Sequence, residues 1–382
     1  MIIYLIVFFI SIYTTWLAEK STKQKPIFFI LSCIAILIPC ILAGCRDSGI
    51  GTDTLIYVDE CWNRIISTKN WDDLIKSYNQ EVFDSIEPVY LLINWIASLF
   101  GKEIQWAYFM TNLCVVLPIY CAAYDNRKKA PMWLSMTVFF LLYYNASLNL
   151  VRQSIALAFC IYSYKYLEQK KWIKALIWVF IIINTHNTGI FYLAFVAIFI
   201  IWNTMKKKNL RKILLIISAT ILPLLLAFFN YMIIATVMIG ILPSKYLMYI
   251  SEENNETIGK SVGFIYFIIA LTLLYIKKYQ KHRNDHITDS INYYLYNKFY
   301  GITLFGASFI SKWAFRISYY FNYPVDCIFL PRTIYSIKKK NKTLYYLITS
   351  TIICFLLIMW YWLVVIRKEN ATIPYKSKLL GI

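Results

Sequence analysis

Long apolar blocks separated by short basic clusters run along almost the whole chain. Segments near 2–18, 27–43, 104–124, 131–147, 149–167, 172–185, 188–203, 213–239, 262–277, 291–310, 314–335 and 343–366 are each apolar over most of their length. About 20 such residues in helical rise match the bilayer hydrocarbon. The pattern therefore predicts an all-α integral membrane protein with about 12 transmembrane helices, in a range of roughly 10–14. A β-barrel would show short alternating segments, and none is visible. Segment 88–100 is too short to cross comfortably and reads as an interfacial or re-entrant helix. Segments 172–185 and 188–203 are also short and are expected to be tilted or broken. Without an internal repeat or a soluble block, residues 1–382 read as a single polytopic membrane domain. The start, Ile2–Ile3, lacks a basic leader and a cleavage site, so it reads as a first span.

Composition agrees with the pattern. Hydrophobic residues make up 59% of the chain and charged ones only 15%, with a mean hydropathy of +0.55. A soluble domain carries about 25% charged residues, so too little polar surface exists here to coat a globule. The nine cysteines form no C-x-x-C pair, and most sit in apolar runs as small hydrophobes.

The net charge of +19 would suggest a nucleic-acid partner if it were spread over a soluble surface. It lies instead in short clusters between spans: Lys20/Lys23/Lys25, Arg127/Lys128/Lys129, Lys170/Lys171/Lys174, Lys206–Lys208, Lys277/Lys278/Lys281/Arg283 and Lys338–Lys340. All fall on one side of the predicted topology, so they mark the cytoplasmic face and no nucleic acid is implied. Both termini and the loop 44–87 after the second span are then outside. That loop interleaves acids (Asp47, Asp53, Asp59, Glu60, Asp72, Asp73, Asp84, Glu87) with aromatics, the mark of a structured external element.

With a direction assigned, ionisable residues beside the spans become informative, because they are costly to keep there. Arg46 opens the external loop, Arg152 and Arg316 lie at outer span ends, and His186 sits at an outer turn. A lone arginine at such a depth snorkels to the headgroups. Several, with a histidine, suit a diphosphate held at the membrane surface, since the guanidinium fork grips phosphate oxygens and stays charged. His186 could serve as acid, base or hydrogen-bond donor. Glu87 precedes Pro88, where a carboxylate suits a helix start and could also face the arginines. Gly49-Ile50-Gly51 lacks the context of a nucleotide loop and reads as a tight turn aiming Arg46, Asp47 and Asp53. The pair His282/His286 lies in a basic loop without the glutamate of a zinc motif and reads as solvated. Neither a metal site nor a cofactor is expected.

The arrangement Arg46…Gly51-Thr52-Asp53…Tyr57, Glu87-Pro88, Asn149…Arg152-Gln153-Ser154-Ile155-Ala156, His186, Arg316…Tyr319-Tyr320-Phe321 and Pro374-Tyr375 resembles the EpsG-like, Wzy-type polysaccharide polymerases over nearly the whole chain. The resemblance implies a bacterial inner-membrane glycosyltransferase that joins repeat units carried on undecaprenyl diphosphate into capsular polysaccharide, exopolysaccharide or O-antigen. It implies diphosphate contact by Arg152 and Arg316, assisted by Arg46, Asp47, Asn149 and Gln153. His186, Asp53 and Glu87 are then candidates for acceptor orientation or proton removal, with the base left open among them. A flippase and a chain-length regulator of the same pathway are the expected protein partners, beside the membrane lipids. The competing reading is a flippase or transporter of lipid-linked oligosaccharide. Repeated halves and a charged central cavity would favour it, and the candidate charges gather on one side instead.

Overall fold

The computed structural model describes residues 1–382 except 69, 81–82, 84–85, 206, 241–259, 281–284 and 310–311, and except the side chains of 208, 212, 222, 226–227, 229–230, 260, 285–286 and 312–313. The expectations for Asp84, Lys206 and the His282/His286 pair lie outside the described residues. Every described element is a helix. Among the described residues, six helical stretches are long and apolar enough to cross a membrane: Ile2–Lys20, Lys25–Gly44, Gln105–Asn126, Asn187–Thr204, Ser261–Gln280 and Lys342–Ile366. By length and composition the chain is a multi-pass membrane protein. Pro88–Ser98 and Trp172–Thr185 are apolar but shorter, as the sequence pattern led one to expect. The predicted span at 213–239 is divided near Phe228 into Lys208–Ala227 and Phe229–Met238.

The chain forms two compact units, Met1–Ile190 with Ile334–Ile382, and Phe191–Thr333. The first contains α1 (Ile2–Lys20), α2 (Lys25–Gly44), α3 (Asp59–Ser67), α4 (Trp71–Asn79), α5 (Pro88–Ser98), α6 (Gln105–Asn126), α7 (Met132–Phe139), α8 (Asn145–Asn149), α9 (Val151–Glu168) and α10 (Trp172–Thr185). Lys342–Trp360, towards the C-terminus, belongs to the same unit. Helix α1 buries a small-residue face of Ser11, Thr14, Thr15 and Ala18, which lets it approach α2 closely. Pro39 lies inside α2 and has no N–H to give the carbonyl of Ala35. Ser11 Oγ supplies the missing donor to that carbonyl at 2.6 Å. The carbonyl of Pro39 in turn accepts the hydroxyl of Tyr144 at 2.5 Å.

The two ends of this unit differ in chemistry. At one end Lys129 reaches Glu168 (3.2 Å), Lys165 reaches Asp125 (2.9 Å), and Glu19 accepts the N–H of Met132 (3.0 Å). The charges of Lys338 and Arg127 also act on Glu19, so several of the basic loops meet there. The start of α1, the loop after α2, the break between α8 and α9, and the C-terminal segment meet at the opposite end. There Tyr4 donates to the Thr372 carbonyl (3.0 Å), Asn145 Nδ2 to Thr372 Oγ1 (2.9 Å), and Trp360 Nε1 to Asn145 Oδ1 (2.8 Å).

The second unit contains Tyr192–Thr204, Lys208–Ala227, Phe229–Met238, Lys260–Gln280, Asp285–Ala307, Lys312–Pro324 and a wide π-type turn over Val325–Phe329. Its core holds a fully buried ion pair, Lys298 Nζ to Asp326 Oδ1 at 2.5 Å, with the ammonium 4.1 Å from the Tyr266 ring centroid. Tyr294 stacks on Phe329 at 4.1 Å beside it.

Candidate functional site

The loop after α2 folds as a turn, a wide π-type turn (Thr54–Val58), then α3 and α4. Gly51 makes that shape possible. Its φ is +87°, and a Cβ there would lie 2.4 Å from the Leu148 carbonyl oxygen, so no other residue fits without displacing backbone. The close approach seats the next residues on Asn149. Its Oδ1 accepts from Thr52 Oγ1 at 2.9 Å and from the Asp53 N–H at 3.3 Å. Asn149 ends α8, and Leu150, with ψ of 59°, breaks the helix before α9 begins at Val151. Arg152 is thus presented in the first turn of α9, directly beside the docked turn.

Arg152 meets Glu87 and His186 at this end. Glu87 caps α5 with extended backbone, and Pro88 follows at the first helical position, where its missing N–H costs nothing. Glu87 Oε2 accepts Arg152 Nη1 at 2.8 Å. Glu87 Oε1 accepts His186 Nδ1 at 2.8 Å and the Asn187 N–H at 3.2 Å. His186 is the extended residue that ends α10, and the following turn closes on Gly189, whose N–H donates to the His186 carbonyl at 2.7 Å. A Cβ on Gly189 would lie 2.6 Å from the Ile182 carbonyl, so glycine is required for this turn to fold back on α10. Tyr57 lies under Arg152, its ring centroid 4.3 Å from the guanidinium carbon, a cation–π contact. The charges of Arg152 and Asp53 both reach the buried Tyr90 hydroxyl on α5.

Burial pushes the Glu87 carboxyl up, but the His186 hydrogen bond and the Arg152 charge outweigh it and hold the group below the usual carboxylate range. An ionised carboxylate only accepts hydrogen bonds, so His186 carries a proton on Nδ1. In the neutral ring the lone pair is then on Nε2, which becomes the proton acceptor. Glu87 is the most enclosed member at 5% exposure, while Arg152 and His186 keep 13% and 12%. The two exposed edges are the ones that could meet a substrate.

Arg152, His186, Glu87, Asp53 and Asn149, all picked from the sequence, come together here. Gln153, buried in α9, follows Arg152 directly. Tyr90 and the Asn187 N–H are additions; only the position of Tyr90 two residues beyond Pro88 could have hinted at the first. Arg316 is half-buried on Lys312–Pro324 of the second unit.

Arg46 and Asp47 lie beside the C-terminal residues of the same unit. The Arg46 guanidinium is only 1% exposed, 4.7 Å from the Tyr108 ring centroid, within reach of Tyr4, Tyr144 and Tyr375. Its Nε and Nη1 have no hydrogen-bond partner among the described residues. Tyr108, Tyr4, Tyr144 and Tyr375 all act on its charge. Asp47 accepts the Lys378 N–H on Oδ1 at 2.8 Å and gives its own N–H to the Lys376 carbonyl at 3.0 Å. Tyr375 donates to the Leu42 carbonyl at 2.8 Å, and Gly51 N–H to the Ala371 carbonyl at 3.0 Å. Residues 371–378 therefore strap the glycine turn onto the end of the unit, and Arg46 and Asp47 serve the strap.

Among the described residues no cluster of three or more histidine, cysteine or acidic side chains could hold a metal ion. The EpsG family model matches residues 29–377, from α2 through the site and into the strap. The chain belongs to the EpsG family. Membership carries a general role in polysaccharide polymerisation. No curated protein and no solved structure matches this EpsG-family chain.

Proposed function

We propose that this EpsG-family protein is a Wzy-type glycosyltransferase that polymerises undecaprenyl-diphosphate-linked repeat units at the outer face of the bacterial cytoplasmic membrane. The reading rests on one observation above all: Glu87 is shared between a histidine, which it sets in the Nδ1–H form, and an arginine, at the end of the unit away from the basic loops.

The chemistry runs as a single displacement. The acceptor sugar hydroxyl loses its proton to His186 Nε2 as its oxygen bonds to the donor anomeric carbon. The bond from that carbon to the diphosphate oxygen breaks, and the lipid diphosphate leaves with the electron pair. Glu87 stabilises the imidazolium that forms, as the orienting carboxylate does in other His-based sites. Arg152 faces the growing negative charge on the leaving diphosphate. A guanidinium has five donors, so one can serve Glu87 and a phosphate together. Asp53 and Asn149 line the acceptor side. Arg46 and Asp47 are assigned to holding the strap.

Deleting the gene and sizing the surface polysaccharide tests the proposal. Single repeat units at the surface, without long chains, are expected. Repeat units retained on the cytoplasmic leaflet would identify a flippase and defeat it. Complementation with Arg152→Ala or Arg316→Ala should restore membrane protein but not long chains.

A further inference from the structure

Helices α4 and α5 share an exposed apolar face. On α4, Leu74 points inward, while Trp71 and Ile75, one turn apart, are exposed; Asp72, Lys76 and Asn79 are exposed alongside them. Helix α5 buries Tyr90, Leu91, Asn94 and Ala97 and exposes Leu92, Ile96 and, at its end, Leu99. Trp71 and Trp95 join the two faces, with ring centroids 4.7 Å apart and planes at 67°. The strip continues into exposed Phe100, stacked at 5.5 Å on Trp106, which opens the membrane-length helix α6.

Neither helix can cross a bilayer: nine and eleven residues rise about 14 and 16 Å against about 30 Å of hydrocarbon. A short helix with tryptophan on its apolar side and charges beside it suits the plane where acyl chains meet headgroups. The strip leads on to the exposed side of the membrane-length helix α6, where Trp106 and Leu117 are exposed. We propose that the α4–α5 face is a lipid-binding platform seated in the headgroup boundary of one leaflet. The platform has a consequence for the proposed site. Glu87 caps α5, so the platform sets Glu87, Arg152 and His186 at the depth where a lipid diphosphate carries its phosphates.

The test places the photo-crosslinker p-benzoylphenylalanine at Trp71, Ile75 or Ile96, and at Asp72 or Asn79 as controls, in the full chain. Each variant is reconstituted in phosphatidylglycerol/phosphatidylcholine vesicles with a radiolabelled phospholipid. Several-fold more lipid adduct at 71, 75 and 96 than at 72 and 79 is expected. Cross-linking of 75 and 96 to a second copy of the chain would make this a dimer face and overturn the proposal. Equal lipid labelling at all five positions, or none at any, would overturn it too. All five side chains are exposed, so five independent variants guard against one misfolding. The readout needs no turnover: lipid adducts in a chain that makes no polymer would count against the glycosyltransferase reading alone.

Discussion

Glu87 Oε1 accepts a hydrogen bond from His186 Nδ1 at 2.8 Å across 99 residues of chain. In the neutral ring the bond leaves the lone pair on Nε2, and the other Glu87 oxygen accepts from Arg152.

Glu87→Gln should therefore disable the site without removing the protein from the membrane. The amide carries no charge to stabilise an imidazolium, and general acid–base assistance is worth about 10²–10⁴-fold. A loss of that order in chain extension is expected from purified protein and lipid-linked repeat units, with Glu87→Asp partly active. Unchanged extension by Glu87→Gln would remove His186 from the base role.

The same carboxylate makes stability depend on pH. Its folded pKa is depressed below the ordinary value of 4.5, so its contribution is complete above that value and is lost as pH falls through the lower, folded one. The gap in thermal stability between wild type and Glu87→Gln should be constant near neutrality and shrink below about pH 4.5. A gap that widened on acidification would mean that Glu87 is protonated in the native protein.

Gly51 and Gly49 both have positive φ, yet only Gly51 lacks room for a Cβ. Gly49→Ala should cost about 1–2 kcal/mol of backbone strain and leave extension measurable. Gly51→Ala adds displacement of the Leu148 carbonyl, next to the break that aims Arg152. It should lose polymer formation at comparable membrane levels. Equal effects of the two would dissociate the turn from Arg152.

Tyr375 tests the strap. Its ring meets Tyr4 at 5.6 Å, near Arg46, and its hydroxyl holds Leu42. Tyr375→Phe should cost about 0.5–1.5 kcal/mol, one hydrogen bond, and keep most activity. Tyr375→Ala opens the cage and should cost about 3–5 kcal/mol and most of the polymer. Limited proteolysis of the C-terminal residues would report the release.

Lys298 and Asp326 provide a control within the second unit. Lys298→Met strands a buried carboxylate and should destabilise by about 3–5 kcal/mol. Adding Asp326→Leu should recover much of that loss, since an apolar pair needs no desolvation. No recovery in thermal unfolding would show that the pair does more than satisfy its own charges.

The sequence alone determined the helical class, the positions of the apolar stretches and the separation of basic loops from candidate site residues. These are properties of composition and order: a helix satisfies its own backbone, and hydrocarbon tolerates little else. Short 88–100 was legible as a helix unable to span, and Glu87-Pro88 as its start, because capping is local. Arg152, His186, Glu87 and Asp53 could be chosen individually as ionisable residues at span ends or in the external loop, and Asn149 through the family resemblance. Their union could not, because it depends on Gly51 fitting against Leu148 and on the fold-back at Gly189, both contacts between distant segments. Arg46 shows the same limit from the other side. An arginine at a span end reads identically whether it is exposed or buried, and only the tertiary packing put tyrosines 4, 108, 144 and 375 around it.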